Sequence, residues 1–401
     1  VFNWSNEANK FTPMLKQAFY LGANRDEVLA ELTEVDILFT TYGTLRANPL
    51  ELAKQEFDYC ILDESQAIKN AESATAKACR TIKADHRLTM TGTPVENSID
   101  ELFSQLEFLN PGLFGEKFVE QYRKLGYFLS NEQIKKLQNT VKPFLLRRTK
   151  EEVAKDLPEK YEDTVFCELS EEHMFQYKEL LQHYREMLLG EEENKQNKEK
   201  VSNDKFQVLA ALLRLRQAAC HPALLNETLQ DFISAKQELV VDRIQELAAS
   251  GRKCLVFSQF TSFLKILEKS IAELSINYCY LDGSSRDRAA LVDKFQNDKD
   301  VTVFLISLKA GGTGLNLTAA EYVFILDPWW NPAAEAQAID RAYRIGQKKN
   351  VFAYKLIARD TVEEKVMQLQ KQKRKLAEAV FSDSPGNKIE LNQDDLKFLL
   401  E

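Results

Sequence analysis

The residues best equipped for chemistry sit in short groups at the ends of apolar runs. Phe57 to Leu62 runs into Asp63-Glu64-Ser65-Gln66. Nucleotide hydrolysis needs one carboxylate to hold Mg2+, directly or through water, and another to orient or deprotonate the attacking water. Adjacent acids at a strand end can divide those tasks, because successive side chains diverge. The same pair would also serve as a helix N-cap followed by a first-turn acid. Thr91-Gly92-Thr93-Pro94 offers two hydroxyls at the next strand's end, or an ordinary turn. Ala310-Gly311-Gly312-Thr313-Gly314 could bring backbone N–H groups to a phosphate, or could simply turn the chain. Arg341 and Arg344 are three residues apart and would share a helix face. That face suits charge developing on a γ-phosphate, or a surface ion-pair row with Asp340 and Glu335. Trp329-Trp330, between prolines, offers either a core anchor or a stacking contact for nucleic acid.

The elements that must position these groups are legible around them. Apolar runs Val35–Phe39, Phe57–Leu62 and Arg87–Met90 alternate with helical stretches such as Ala71–Ile82. A second alternation follows Lys236: helix Leu239–Ala249, strand Cys254–Ser258, helix Ser262–Glu273, strand Tyr278–Leu281 and helix Asp287–Phe295. Apolar runs at Val303–Ile306, Tyr322–Leu326 and Phe352–Ile357 continue it. Such alternation predicts parallel, doubly wound sheets, with functional residues at the strands' carboxyl ends. Residues 99–145 and 170–220 read as helical, the latter as two long helices about a charged turn, Glu191–Lys200. A Lys- and Gln-rich helix is expected over Thr361–Val380, and its lysines read as a solvated face; a last short helix is expected over Asp394–Leu400.

Composition narrows the class. At 401 residues, two domains are expected. A hydrophobic fraction of 44% with 28% charged residues is that of a globular protein. No run approaches the ~18 apolar residues of a membrane span, and no charged-then-apolar leader opens the chain. The net charge of −8 argues against a basic coating of nucleic acid but leaves room for a local positive groove. Six cysteines without a CxxC pair read as buried thiols, not as a metal or disulfide framework. His221, before Pro222, reads as a packing or capping residue.

Taken together, these segments resemble the Swi/Snf-like family of DNA-translocating ATPases, within the superfamily 2 helicases. Asn3-Trp4, Glu7, Phe11 and Pro13 resemble motif Ia, and Thr40-Thr41-Tyr42 resembles motif Ib. Asp63 to Gln66 resembles motif II, and Leu88 to Pro94 motif III. Phe144 to Lys150 resembles the inter-lobe connector, and Arg216-Gln217 with His221-Pro222 the helical insertion. Val256–Phe260 and Leu281–Ser284 are similar to motifs IV and IVa, and Ser307–Leu317 to motif V. Asp327-Pro328-Trp329-Trp330-Asn331-Pro332 is the most distinctive signature, and Asp340 to Gln347 resembles motif VI.

The resemblance implies an α/β fold of two RecA-like parallel-sheet lobes with helical insertions and ATP between the lobes. The expected divisions are 1–114 for the remainder of lobe 1 and 115–233 for the protrusions and connector. Lobe 2 would occupy 234–360, and a bracing helix and tail 361–401. Asp63 would hold Mg2+ and Glu64 would activate water, with Arg341 and Arg344 as arginine fingers. Gln66, Thr91, Gly312, Gly314 and Gln347 would contact the nucleotide. Thr41, Gly311, Thr313, Asn316 and Trp329 would grip double-stranded DNA. Gln66 and Tyr343 stand where many relatives carry His. No G-x-x-x-x-G-K-[ST] loop occurs in these residues. Because the chain opens at Val1, a fragment is expected whose phosphate loop lies upstream and which is inactive alone. The expected partners are double-stranded DNA and a DNA-bound protein complex that is displaced or remodelled. A monomeric motor in a bacterial or archaeal nucleoid is expected, nuclear if eukaryotic. The alternative is a non-catalytic DNA- or protein-binding module.

Overall fold

The computed structural model describes residues 1–22, 25–92, 99–125, 131–148, 150–189, 201–311, 314–329 and 332–369. Expectations for Thr93-Pro94, the turn Glu191–Lys200, Gly312, Thr313, Trp330-Asn331 and everything beyond Leu369 fall outside those residues. The described chain divides into two compact units, with the division at Leu145/Leu146. Residues 115–233, expected as protrusions and connector, fall on both sides of that division.

In the first unit, β1 (Gln17–Phe19) pairs in parallel with β2 (Ile37–Phe39), and β3 (Glu56–Leu62) pairs in parallel with β4 (Lys83–Thr89). Ser73 caps helix Ala74–Thr81 through Ala76 N–H at 3.1 Å, which starts the helix and lays Cys79 into the core. That core gathers Tyr20, Leu45, Leu62, Ile68 and Phe108. A satellite cluster of Phe103, Phe114 and Tyr122 joins the helices that follow.

The second unit carries one six-stranded sheet. Its strands are β5 (Lys160–Cys167), β6 (Cys254–Ser258), β7 (Asn277–Leu281), β8 (Val301–Ser307), β9 (Tyr322–Ile325) and β10 (Val351–Ala358). The order is β5-β10-β9-β6-β8-β7, and every pairing is parallel. β6 and β8 are buried along their whole length, as near-continuous apolar runs should be when helices cover both faces. Alternate side chains serve the two faces. Val256, Leu305 and Phe324 meet Val240, Phe263 and Leu267, while Leu255, Phe257 and Ile306 meet Phe295 and Ile339. Helices Glu171–Leu189 and Val201–Cys220, with the helix over 362–369, form a third cluster around Tyr177, Leu212, Leu215 and Val366. The expected α/β class of parallel sheets with helical insertions is what the chain adopts.

β5 corrects the reading of residues after the connector as helical insertion. It pairs over eight residues, from Lys160 against Val351 to Cys167 against Ala358, at the edge of the sheet. Its sequence hides it: Glu162, Asp163 and Thr164 separate its apolar residues, because an edge strand buries little.

His221 caps the 3-10 turn Pro222–Leu224, with Nδ1 accepting from Ala223 N–H at 3.1 Å. Nε2 must then carry the proton, donating toward the Phe232 carbonyl at 3.0 Å. His173 is equally enclosed, with Nε2 against the Ala218 carbonyl at 2.6 Å. Burial pushes both imidazoles below their ordinary value. Below about pH 6.5 the unfolded chain takes up protons these rings resist, so stability falls with falling pH. The melting temperature should drop as pH is lowered from about 7.5 toward 5.5. His173→Gln and His221→Gln should each flatten the slope; an unchanged slope in both would show that neither ring is held neutral.

Candidate active site

The acidic pair is placed by an extension of the β3–β4 ladder. Met90 N–H donates to the Leu62 carbonyl at 2.8 Å, and Ser65 N–H returns to the Met90 carbonyl at 3.0 Å. Between those bonds the chain must reverse, and Glu64 takes the left-handed conformation, φ 49° and ψ 52°. A non-glycine residue there carries a conformational cost of about 1–2 kcal/mol, and such strain gathers at functional sites. Ser65 is buried, and its hydroxyl donates to Gln105 Oε1 at 2.8 Å. Asp63 remains exposed and Glu64 half-buried.

Each acid is held by groups whose pairing with it the sequence did not show. Trp4 Nε1 donates to Asp63 Oδ2 at 2.8 Å, and Glu64 N–H donates to Oδ1 at 2.9 Å. The Tyr42 hydroxyl donates to the Asp63 carbonyl at 2.7 Å. Burial, reinforced by Cys79 and Asp63, raises the Tyr42 phenol well above its ordinary value, so it stays a donor. Gln66 Nε2 donates to Glu64 Oε2 at 2.8 Å, while its Oε1 accepts from the Thr91 hydroxyl at 3.0 Å. Gln66, expected at the nucleotide, thus spans Thr91 and Glu64 and orients the carboxylate. Trp4 had already been picked out by its resemblance to motif Ia; its partner had not.

The donor set suits Mg2+. That ion keeps several waters and binds through one or two carboxylates plus phosphate oxygens, without an all-protein cage. A carboxylate offers about four lone-pair sites, and Asp63 spends two on Trp4 and Glu64. Among the described residues, no group of three or more His, Cys, Asp or Glu could hold a metal by itself.

The second unit's groups lie after β8 and β9. Gly311 is buried where a Cβ would lie 2.8 Å from Phe257 Cε1 and 3.2 Å from Ile306 Cγ2, so only glycine fits. Gly314 takes φ 49°, which glycine permits without cost. Asn316 is exposed, and so is Thr41, which caps helix Tyr42–Ala47 in the first unit through Thr44 N–H at 3.1 Å. Trp329 is half-buried and packs on the sheet core, and its N–H donates to Glu335 Oε1 at 2.7 Å.

Motif VI differs from its expected shape. Helix Pro332–Ile339 stops before Asp340, and residues 340–346 form successive turns, so Arg341 and Arg344 do not share a helix face. Arg341 is buried and its Nε donates to the Gly311 carbonyl at 3.1 Å, whereas Arg344 is exposed. Tertiary bonds end the helix. Lys150 Nζ pairs with Asp340 at 2.7 Å and donates to the Tyr343 carbonyl at 2.8 Å. Gln347 Nε2 reaches the carbonyls of Thr318, Ala320 and Ala342 at 3.0, 2.9 and 3.1 Å, and its Oε1 accepts from Lys348 and Lys349 N–H. That amide, expected at the nucleotide, is spent on fixing the turn. Asp340 pairs with Lys150 and Glu335 with Lys355.

The model described as SNF2-related domain matches residues 1–224, and that described as Helicase conserved C-terminal domain matches residues 235–346. The chain belongs to the SNF2-related family of helicase-like proteins. It is 37% identical over 407 residues to an uncharacterized ATP-dependent helicase of Mycoplasma pneumoniae, covering 100% of this chain and 38% of that protein. It is 33% identical over 461 residues to the TATA-binding protein-associated factor MOT1 of Saccharomyces cerevisiae, covering 100% of this chain and 24% of that protein. The solved Sulfolobus solfataricus SWI2/SNF2 ATPase core in complex with dsDNA is 33% identical, with 100% of this chain and 84% of that chain covered and a TM-score of 0.48. The chain spans less than two fifths of the length of these curated relatives.

Gly311→Ala tests the packing beneath the loop. It should cost about 1–3 kcal/mol in urea unfolding, while Gly283→Ala, with nothing within 4 Å of its Cβ, should stay within about 0.5 kcal/mol. Equal midpoints for the two variants would refute the tight approach.

Proposed function

We propose that this chain is the motor region of an ATP-dependent double-stranded-DNA translocase. The observation that carries the reading is the acidic pair at the end of β3, one carboxylate exposed and the other braced through Gln66 to Thr91. Membership of the SNF2-related family supports it.

Asp63 would hold Mg2+, which neutralises charge on the phosphates when bound. Glu64 orients and deprotonates the attacking water, with Gln66 fixing its Oε2 side. Arg344, exposed, and Arg341, tied to the Gly311 carbonyl, supply positive charge for the transferred phosphoryl group. Gly312 and Gly314 bring backbone N–H groups toward phosphate. Thr41, Asn316 and Thr313 contact the DNA backbone, which fixes position without reading sequence. Gly311 acts beneath that surface. Movement along duplex DNA would displace or remodel a DNA-bound complex, in a bacterial or archaeal nucleoid.

In the full-length protein, Glu64→Gln should lower DNA-stimulated ATP hydrolysis by about 100-fold or more and leave the Kd for duplex DNA within about twofold. Unchanged turnover removes Glu64 from the chemistry. Duplex binding with no hydrolysis by the unmutated protein points instead to a binding module.

A further inference from the structure

The chain from Leu326 to Trp329 is held from beneath by side chains of separate elements. Lys236 Nζ, in helix Ala235–Ala249, donates to the Leu326 carbonyl at 2.6 Å. Asp327 is wholly buried, accepting from the Ser258 hydroxyl and from Gln259 N–H at 3.2 Å. The Arg216 guanidinium, in helix Val201–Cys220, donates to the Pro328 carbonyl. Glu335 takes Trp329 N–H.

Arg216 stands apart in this set. It is 1% exposed, belongs to the helical insertion, and reaches 112 residues along the chain to the carbonyl just before Trp329. Its guanidinium lies 5.9 Å from the centre of the Phe260 ring. A long, fully desolvated side chain is not needed to fill that space, since leucine or methionine would do so without burying a charge. What a guanidinium adds is a rigid planar fork of donors.

We propose that Arg216 is a positioning residue for the Trp329 loop, joining the helical insertion to that loop so that the two move together when duplex DNA is engaged. The inference rests on the translocase reading and deepens it, assigning the helical insertion a role in placing a DNA-facing loop. Arg216 is buried and acts through the Pro328 carbonyl. Asp327, buried nearby, supplies the compensating negative charge.

The test uses the full-length protein labelled with 5-fluorotryptophan, with the Trp329 resonance assigned by Trp329→Phe. Arg216→Met together with Asp327→Asn removes both buried charges and leaves no uncompensated ion. The double variant should melt near the parent, yet its Trp329 fluorine resonance should shift or broaden beyond that of Asp327→Asn alone. Its DNA-stimulated hydrolysis should fall about tenfold while DNA-independent hydrolysis stays within about twofold. Arg216→Lys keeps one donor but loses the fork, and should give an intermediate shift; it decides the matter if the double variant does not fold. An unmoved Trp329 resonance in a folded variant overturns the proposal. If the unmutated protein shows no DNA-stimulated hydrolysis, the translocase reading fails, while the resonance still decides whether Arg216 places the loop.

Discussion

The second unit is built around an ion pair with no access to water. Lys236 and Glu363 are both 0% exposed, and Nζ lies 2.8 Å from one carboxylate oxygen and 2.6 Å from the other. Desolvating two ions costs several kcal/mol each, which only good geometry and further hydrogen bonds offset. Both are present: Lys236 also serves the carbonyls of Leu326 and Leu356, and Glu363 accepts Ala358 N–H at 2.8 Å. Burial alone would lower the lysine's pKa, but Glu363, Cys220 and Asp327 together outweigh it and the net direction is upward. One pair therefore ties the ends of β9 and β10, helix Ala235–Ala249 and the start of the 362–369 helix to a single arrangement. An apolar replacement could supply burial, but it could not dictate which carbonyls face inward.

Much of this architecture could be read in advance. β6 and β8 announce themselves because a parallel strand covered on both faces needs apolar residues at every position. Helices such as Ala74–Thr81 announce themselves through a capping serine. β5 escaped because an edge strand can be half polar. The burial of Arg216 and Lys236 escaped for a different reason: a charged residue on an amphipathic helix reads as solvent-facing, and only tertiary structure shows the carbonyls waiting for it. The end of helix Pro332–Ile339 escaped in the same way. Nothing local in Ile339-Asp340-Arg341-Ala342 stops a helix; Lys150, from a distant part of the chain, and Gln347, anchored to the carbonyl of Thr318, do.

The candidate site shows the same division. The types of its displayed residues were legible: Asp63 and Glu64 after β3, Thr91 after β4, Gly311 after β8 and Trp329 after β9, at the carboxyl ends of parallel strands. The bracing was not. Neither Trp4 on Asp63 nor Gln66 between Glu64 and Thr91 follows from spacing, since each bond joins segments brought together only by folding.

Bracing also changes what the two arginines can be. A pair on one helix face would approach a phosphate together. Here Arg341 lies against the Gly311 carbonyl, in a spot where a single added methyl would strike Phe257, while Arg344 stands exposed three residues on. The buried guanidinium ties Gly311 to the motif VI turn through that hydrogen bond. The two arginines thus differ in setting, Arg341 held against Gly311 and Arg344 presented to solvent.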